Sequence, residues 1–228
     1  MSFTSANLAR RLLAELLGSA ALSAVVIGSG IAAQQLSPGN VGLDLLENAL
    51  VTGAGLYVLI LVFGPVSGAH FNPVVSLVNA ATGGMSWLAA LLYTPAQVAG
   101  CVLGAIGANV MFSLSWVSIS THHRASGPHL FSEVIATLGL ILVIFALSRN
   151  GHHAHTPAAV GAYISAAYFF TSSTSFANPA IAVGRIFSNT FAGIAPASVP
   201  GFVLAELLGA AAALGLVVYL FPTTKEPS

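Results

Sequence analysis

Two short strings place the same uncharged hydrogen-bonding chemistry at two points of an apolar chain. "GAHFNPVVSL" at 68–77 carries Asn72 before a proline, and "SFANPAIAVG" at 175–184 carries Asn178 in the same setting. Proline is favoured in the first turn of a helix, and the oxygen of a preceding Asn caps the free N–H groups there. The amide NH2 then points away from the helix, toward a passing polar molecule. The two strings therefore predict two short helices, each presenting a carboxamide donor at its start.

Four other polar residues interrupt long apolar stretches: Glu15, Gln97, Glu133 and Glu206. A bare charge inside a membrane is costly, whereas a buried carboxylate can accept several backbone N–H bonds. We therefore expect Glu15 and Glu133, which occupy equivalent places in two similar segments, to brace the loops that precede the two Asn residues. Gln97 and Glu206 are also equivalent to each other, and we assign them the same kind of role.

The composition restricts the class of protein. Of 228 residues, 56% are hydrophobic and 5% are charged, and the formal net charge is zero; the mean hydropathy is +0.90. A soluble domain carries roughly a quarter charged residues, so this chain is predicted to be a polytopic membrane protein. The zero net charge favours no nucleic-acid partner. The single cysteine, Cys101, rules out an internal disulfide and is expected to be a small buried filler.

A membrane span needs about 20 mainly apolar residues. Two apolar pieces, at 72–81 and 178–188, are too short to span and are predicted to be re-entrant half-helices, buried in protein or lining a wet cavity. The first apolar run, which follows Arg10 and Arg11, is interpreted as a span rather than a cleaved signal peptide. The six segments long enough to span are 10–33, 43–64, 88–113, 131–148, 157–173 and 198–221.

The positively charged residues predict the orientation of the chain in the membrane. With the N-terminus inside, Arg10, Arg11, Arg149 and Lys225 face the cytoplasm, and Arg124 lies outside. Because cytoplasmic loops are enriched in Lys and Arg, both termini are predicted to be cytoplasmic.

The chain reads as one channel domain, 1–228, made of two repeats, 8–113 and 131–221. "AELLGSAAL" at 14–22 matches "SEVIATLGL" at 132–140, and "AQVAGCVLGA" at 96–105 matches "AELLGAAAAL" at 205–214. Three spans per repeat is an odd number, so the second copy must enter the membrane upside down. The predicted fold is an all-α membrane protein with six transmembrane helices, two half-helices and a site at mid-depth. A neutral molecule there accepts hydrogen bonds from both Asn residues, whereas a cation is repelled by both positive helix ends.

These strings, with "SGAHFNPV" and "SFANPA", resemble those of the aquaporin (major intrinsic protein) superfamily. The resemblance implies an aquaporin-like bundle with one pore per protomer, a homotetramer in membrane lipid, and passive conduction of uncharged solutes. It implies neither catalysis nor a cofactor or metal. The first box reads Val74 where alanine is usual, which we expect to add methyl groups beside the central constriction. The pore boxes that the resemblance assigns are Asn72, Pro73, Val74, Asn178, Pro179 and Ala180.

The outer filter departs from the family pattern. Family members usually carry Arg directly after the second box, where this chain has Ile181, and Arg185 is expected to face away from the constriction. Water-selective members usually place Phe, His and Arg in the filter. None of these three is present at the assigned positions here, which predicts a wider, neutral ring. Ungapped counting from the boxes assigns the filter to Thr52, Ala166, Ser175 and Ile181. The pore vestibule is assigned to Gly68, Ala69, His70 and Thr174, with an exposed-loop position as the alternative for His70.

Such a ring predicts passage of glycerol, urea, boric acid or arsenous acid, with water as a co-permeant. The chain is similar to bacterial aquaglyceroporin-like members with an aliphatic residue in place of the filter Arg, which are associated with arsenic handling, including methylated species. The expected location is the bacterial inner membrane. The alternatives are a water-selective aquaporin and, less favoured, a secondary transporter with inverted repeats.

Six of the seven histidines fall in two connections on opposite faces of the predicted membrane protein, which argues against one enzymatic site. The "GHHAH" string at 151–155 suggests a divalent-metal site or a pH sensor in the cytoplasmic connection. The alternative is a solvated loop. These histidines are His122, His123 and His129 in one connection, and His152, His153 and His155 in the other.

Overall fold

The structure is a computed structural model that describes residues 5–222, and within that range every regular element is helical. Three short 3₁₀ turns, at His153–His155, Arg185–Phe187 and Pro196–Ser198, join or extend the α-helices. The α-helices are α1 Ser5–Leu36, α2 Val41–Ser67, α3 Pro73–Ala81, α4 Trp87–Met111, α5 Gly127–Arg149, α6 Thr156–Phe170, α7 Pro179–Gly184 and α8 Val199–Leu220.

Polar side chains fix where several long helices begin. The side-chain oxygens of Asn40, Ser86 and Ser126 precede α2, α4 and α5, and each accepts a backbone N–H from the first turn. These caps satisfy donors that have no partner within the helix. The apolar sequences that follow then continue as helices.

Five of the described helices are long and apolar enough to cross a membrane: α1, α2, α4, α5 and the helix that ends at Leu220. The predicted span 157–173 is the shorter helix α6, with 15 residues. At a rise of 1.5 Å per residue, α6 reaches about 22 Å, against about 30 Å of hydrocarbon. The predicted set of six full-length spans is therefore five long helices and one short helix.

The two half-helices are shorter than any span. Helix α3 has nine residues, and α7 has six residues followed by the 3₁₀ turn Arg185–Phe187. Each begins at the proline of its Asn-Pro box, with the Asn as the capping residue. The proline-first and Asn-cap geometry is what the sequence predicts for both.

The order of elements repeats along the chain: two helices, a half-helix and another helix. Helix α1 packs against α2 and α4, and α5 packs against α6 and α8. Small residues permit the closest approaches, because a Cβ on Gly100 would overlap Leu16 O and a Cβ on Gly209 would overlap Val134 O. These are the close helix contacts expected from the small-xxx-small spacings.

Arginine side chains join helix ends in the bundle. The Arg11 side chain donates to Tyr93 Oη (2.7 Å), which donates in turn to Ser67 O (2.9 Å) at the end of α2. Arg149 donates to Phe221 O (2.6 Å), which joins the ends of α5 and α8. The cytoplasmic side of these residues stays a prediction, and Lys225 lies outside the described residues.

Candidate functional site

The segments that enter the two half-helices, residues 68–72 and 174–178, share an unusual backbone; we call them the entry loops. Several non-glycine residues adopt the left-handed region: Ala69 (φ 50°) and Phe71 (φ 49°) in the first, and Thr174 (φ 64°), Ser175 (φ 50°) and Ala177 (φ 48°) in the second. A non-glycine residue in this region costs of order 1–3 kcal/mol and persists only where its surroundings hold it. The rest of the site must therefore supply the contacts that hold both loops.

Glu15 holds the first entry loop. Its carboxylate accepts the backbone N–H of His70 (3.0 Å) and of Phe71 (2.7 Å). Ser67 Oγ (2.6 Å) and Gln97 Nε2 (2.8 Å) donate to the same carboxylate. Glu15 is fully buried, and four donors offset the cost of burying its charge. These are the contacts that the bracing hypothesis requires.

Two carboxyl groups hold the second entry loop. Glu133 accepts from Phe176 N (2.9 Å) and Ala177 N (2.7 Å), and Glu206 accepts from Asn178 N (2.9 Å). The second loop thus uses an acid pair where the first loop uses a carboxylate and an amide.

Each box Asn caps its half-helix. Asn72 Oδ1 accepts from Val74 N (3.1 Å), and Asn178 Oδ1 accepts from Ala180 N (3.0 Å). The oxygens are thereby occupied, so the NH2 groups remain as the donors of these side chains.

The two Asn side chains also cross-link the entry loops. Asn72 Nδ2 donates to Ala177 O (2.7 Å), and Asn178 Nδ2 donates to Phe71 O (2.8 Å). An NH2 group has two hydrogens, so each Asn keeps one for another partner. The sequence predicts that the two donors meet but gives no sign of this reciprocal pairing, because each acceptor is a backbone carbonyl far away along the chain.

Both Asn side chains line a cavity of about 660 Å³, which we call the large cavity. Its walls include apolar side chains from α1, α2, α5 and α6, and polar groups from the entry loops. The predicted vestibule residues Gly68, Ala69 and His70 line it, whereas Thr174 lines a second cavity of about 210 Å³, the small cavity. The polar side chains of the large cavity are Thr52, His70, Asn72, Asn79, Ser148, His153, Thr156, Tyr168, Ser175, Asn178 and Arg185.

Hydrogen bonds fix the protonation of His70. Its Nε2 lies 3.2 Å from Asn79 Nδ2, and its Nδ1 lies 2.9 Å from Ser76 Oγ. Because the Asn79 nitrogen only donates, Nε2 accepts and Nδ1 carries the proton that is donated to Ser76. His70 is therefore neutral in this arrangement and lies half-buried on the cavity wall, rather than in an exposed loop.

Three of the four residues assigned to the filter line the large cavity: Thr52, Ser175 and Ile181. The fourth assignment is wrong, because Ala166 is exposed on the outside of α6. The α6 residues that line the cavity include Ile164 and Tyr168. A shift of two positions turns a helical side chain by about 200°, so an ungapped count that is two residues off selects the opposite face.

Tyr168 changes the character of this wall. Its hydroxyl lies 3.3 Å from Thr52 Oγ1, so the α2 and α6 walls meet through a hydrogen bond. The wall that was expected to hold only the methyl group of an alanine thus carries an aromatic ring and a hydroxyl.

Val74 does not lie beside the constriction as expected. It is 0% exposed and packs in a hydrophobic cluster with Ile141 and Ala210. Because α3 begins at Pro73, position 74 falls on the face of α3 that meets α5 and α8. Within the described residues, Pro73, Val74, Pro179 and Ala180 are buried and do not line the large cavity.

Arg185 also departs from the expectation, because it does not face away. It is 2% exposed and lines both the large and the small cavity. Residues four apart share one face of a helix, so Arg185 follows Ile181 onto the cavity side. Its Nε donates to Ala192 O, and its guanidinium carbon lies 3.5 Å from the centre of the Phe176 ring.

The histidine-rich connection borders the large cavity through His153. The rings of His152 and His155 are 6.0 Å apart. Within residues 5–222, no group of three His, Cys, Asp or Glu side chains lies close enough to hold a metal ion. The contacts therefore give the metal hypothesis for this string no support.

The amino-acid sequence is similar to those of known membrane-channel proteins. A family model described as "Major intrinsic protein" matches residues 2–176. The chain is 48% identical over 219 residues to aquaglyceroporin AqpS of Rhizobium meliloti, covering 96% of this chain and 93% of that protein. It is 32% identical over 157 residues to a glycerol uptake facilitator protein of Streptococcus pneumoniae, covering 60% of this chain and 63% of that protein.

The fold is similar to a solved structure. The X-ray structure of the aquaglyceroporin from Plasmodium falciparum superposes with a TM-score of 0.72, covering 92% of this chain and 95% of that chain. The sequence identity is 20%, so this likeness concerns the arrangement of the helices.

Proposed function

Because this chain belongs to the major intrinsic protein family, we propose that it is an integral membrane channel through which glycerol and other small uncharged solutes pass passively, together with water. The observation that carries the proposal is the pair of box Asn residues. Each Asn donates one amide hydrogen to a carbonyl of the other entry loop and has a second amide hydrogen without a partner there. Both side chains line the same cavity of about 660 Å³. A small molecule with two acceptor oxygens fits two such donors.

The walls of the large cavity support a solute with carbon and hydroxyl faces. Leu56, Ile144 and Ile164 contribute apolar surface, while the box Asn residues contribute donors. A polyol can place its C–H groups on the first wall and its hydroxyls on the second. Because this wall offers contact to C–H groups, which water lacks, the lining favours glycerol-sized solutes over the water-selective alternative.

Metalloid hydroxides belong to the same proposed solute class. Arsenous acid is uncharged near neutral pH and presents three hydroxyls, as glycerol does. Ile181 on the cavity wall offers apolar contact to a methyl group, which extends the proposal to methylated arsenic species. The similarity to a protein named aquaglyceroporin AqpS supports the passage of glycerol-sized solutes.

The secondary-transporter alternative lacks a coupling group. Within the described residues, no Asp or Glu lines the large cavity. Glu15, Glu133 and Glu206 instead accept backbone N–H groups of the entry loops. An ion-coupled cycle needs a group that changes its partner, and these carboxyl groups hold strained backbone in place.

We further propose the setting in which the channel works. Four copies assemble in the lipid of a bacterial inner membrane, each with its own pore, and both termini face the cytoplasm. The apolar outer surface supports burial in lipid and between copies, since large apolar side chains are exposed on α4 (Leu91, Leu103) and on α8 (Leu208).

The test is solute flux into liposomes that contain the purified protein. Stopped-flow light scattering should show water, glycerol, urea and arsenite entering faster than into empty liposomes, at rates linear in the gradient. Flux of water alone would favour the water-selective alternative. Flux that saturates at low solute and needs an ion gradient would identify a transporter instead.

A further inference from the structure

Arg185 brings a fixed positive charge into a cavity whose other lining residues are uncharged or histidine. Among the described residues, it is the one Lys, Arg, Asp or Glu side chain on the wall of the large cavity. It also lines the small cavity, together with Arg124 and Thr174. The guanidinium therefore stands where the two cavities meet.

The position of this guanidinium is built by the connection at 188–195. Three consecutive carbonyls of that connection hold two arginines: Phe191 O (2.9 Å) and Gly193 O (2.8 Å) accept from Arg124, and Ala192 O accepts from Arg185. Backbone carbonyls do not carry a charge that would neutralise the guanidinium. The arrangement therefore fixes the cation in place and leaves its charge uncompensated by these partners.

The ring of Phe176 gives both arginines a common platform. The guanidinium carbons lie 3.5 Å (Arg185) and 5.5 Å (Arg124) from the ring centre. Stacking of this kind holds a planar guanidinium face-on and leaves its edge available. Phe176 belongs to the second entry loop, so the platform is fixed by the same contacts that hold Asn178.

The edge of Arg185 has donors to spare. Its Nε is used by Ala192, whereas neither terminal nitrogen has a hydrogen-bond partner within residues 5–222. A guanidinium carries five N–H donors, so four remain for a molecule in one of the two cavities.

We propose that Arg185 is the selectivity arginine of this channel. The inference rests on the proposed channel function and changes its filter: position 181 is aliphatic, and the charge that it lacks is supplied four residues later from the same helix face. Arg185 repels cations, including protonated water, from the wall of a largely apolar cavity, where charge is screened less than in bulk water. Its terminal N–H groups donate to solutes with adjacent oxygens, such as polyols and trihydroxy metalloid acids.

Liposomes containing the Arg185→Gln variant test this role. Glutamine keeps a polar side chain and removes the charge, so we expect the Na⁺ and H⁺ leak under an imposed potential to rise about tenfold or more. Glycerol flux should persist, which shows that the pore is intact. The matched control is Arg149→Gln, because Arg149 also donates to backbone carbonyls but lines neither cavity. That control should leak no more than the wild type.

A second variant keeps the charge. In Arg185→Lys, the ammonium group is also cationic, so the Na⁺ leak should stay close to that of the wild type and well below that of Arg185→Gln.

Three results would overturn the inference. The first is an unchanged cation leak in Arg185→Gln with glycerol flux retained. The second is failure of both variants to fold where Arg149→Gln folds, which would make Arg185 a structural clasp for the 188–195 connection. The third is a wild type that conducts no solute, which defeats the proposed function itself and is seen before any variant is made.

Discussion

Tyr168 illustrates how one side chain defines the wall of the cavity. Its hydroxyl lies 3.3 Å from Thr52 Oγ1 on the wall of the large cavity, while Ala166, two positions earlier, lies on the outer surface. The largest solute that can pass should therefore depend on the residue at position 168 and not on the residue at position 166.

We expect Tyr168→Ala to raise the permeability to glycerol and to four-carbon polyols, because removing the ring enlarges the passage beside Thr52. The gain should be about threefold or more and larger for the bulkier solute. The matched control, Ala166→Leu, adds volume on the outer surface and should leave the flux unchanged. Swelling rates of liposomes in each polyol measure both. A response at 166 and none at 168 would reverse the assignment.

Glu133 is the side chain on which the second entry loop depends most. A glutamine there has one acceptor oxygen, so its NH2 group would face one of the two N–H donors of Phe176 and Ala177. A buried unpaired donor costs about 1–3 kcal/mol, so Glu133→Gln should lower the Tm in detergent by about 5 °C and reduce solute flux. The control is Glu47→Gln in α2, outside both loops. Equal Tm values for the two variants would contradict the bracing role.

The sequence predicts these polar groups for a physical reason. In an apolar chain, a carboxylate or carboxamide must find partners, and the loops beside the two boxes have free N–H groups to offer. The predicted positions of Ala166 and Arg185 were wrong because each prediction required the rotational position of a residue on its helix. An error of one or two residues in the count moves a side chain to the opposite face. The Phe176 platform carries no sequence signal of its own, since one of its two arginines, Arg124, comes from a distant segment.

The helices pack through their small residues, and these contacts decide whether the bundle closes. Gly209 of α8 lies against Val134 O of α5, where a Cβ would overlap the carbonyl, whereas Gly215 on the same helix has open space around it. The two positions therefore form a matched pair for the same substitution.

Gly209→Ala should lower the Tm in detergent by about 5 °C or more, because overpacking costs typically 1–3 kcal/mol. Gly215→Ala should be neutral or slightly stabilising, since alanine is the better helix former. A scan of both variants against the wild type measures the difference. Similar values at the two positions would show that α5 and α8 are free to separate.

Element lengths were predictable in part. Apolar run lengths locate the long helices and the two half-helices, because the bilayer sets the length of a span. They overestimate α6, which ends at Phe170 before the entry loop begins. The polar run TSSTS at 171–175 marks that end, and Glu133 of another helix holds the loop that follows through Phe176 N and Ala177 N.

The sidedness of the whole chain is a prediction that labelling can check. Thr121 and His152 are exposed and lie in the two connections assigned to opposite faces. In a Cys101→Ala background, Thr121→Cys should react with an impermeant maleimide on intact cells, and His152→Cys should react only after permeabilisation. The reversed pattern would place both termini outside.

The reciprocal Asn bonds have a consequence for biogenesis. The amide of Asn72 can form its hydrogen bond only after Ala177, its acceptor 105 residues downstream, has been synthesised. At about 5–20 residues per second, a ribosome needs roughly 5–20 s to deliver it. During that interval Asn72 Nδ2 lacks its acceptor, so we expect a nascent chain that is stalled or truncated before residue 177 to be degraded by membrane proteases rather than to mature. Degradation or maturation of this protein should thus be decided when its last quarter is synthesised.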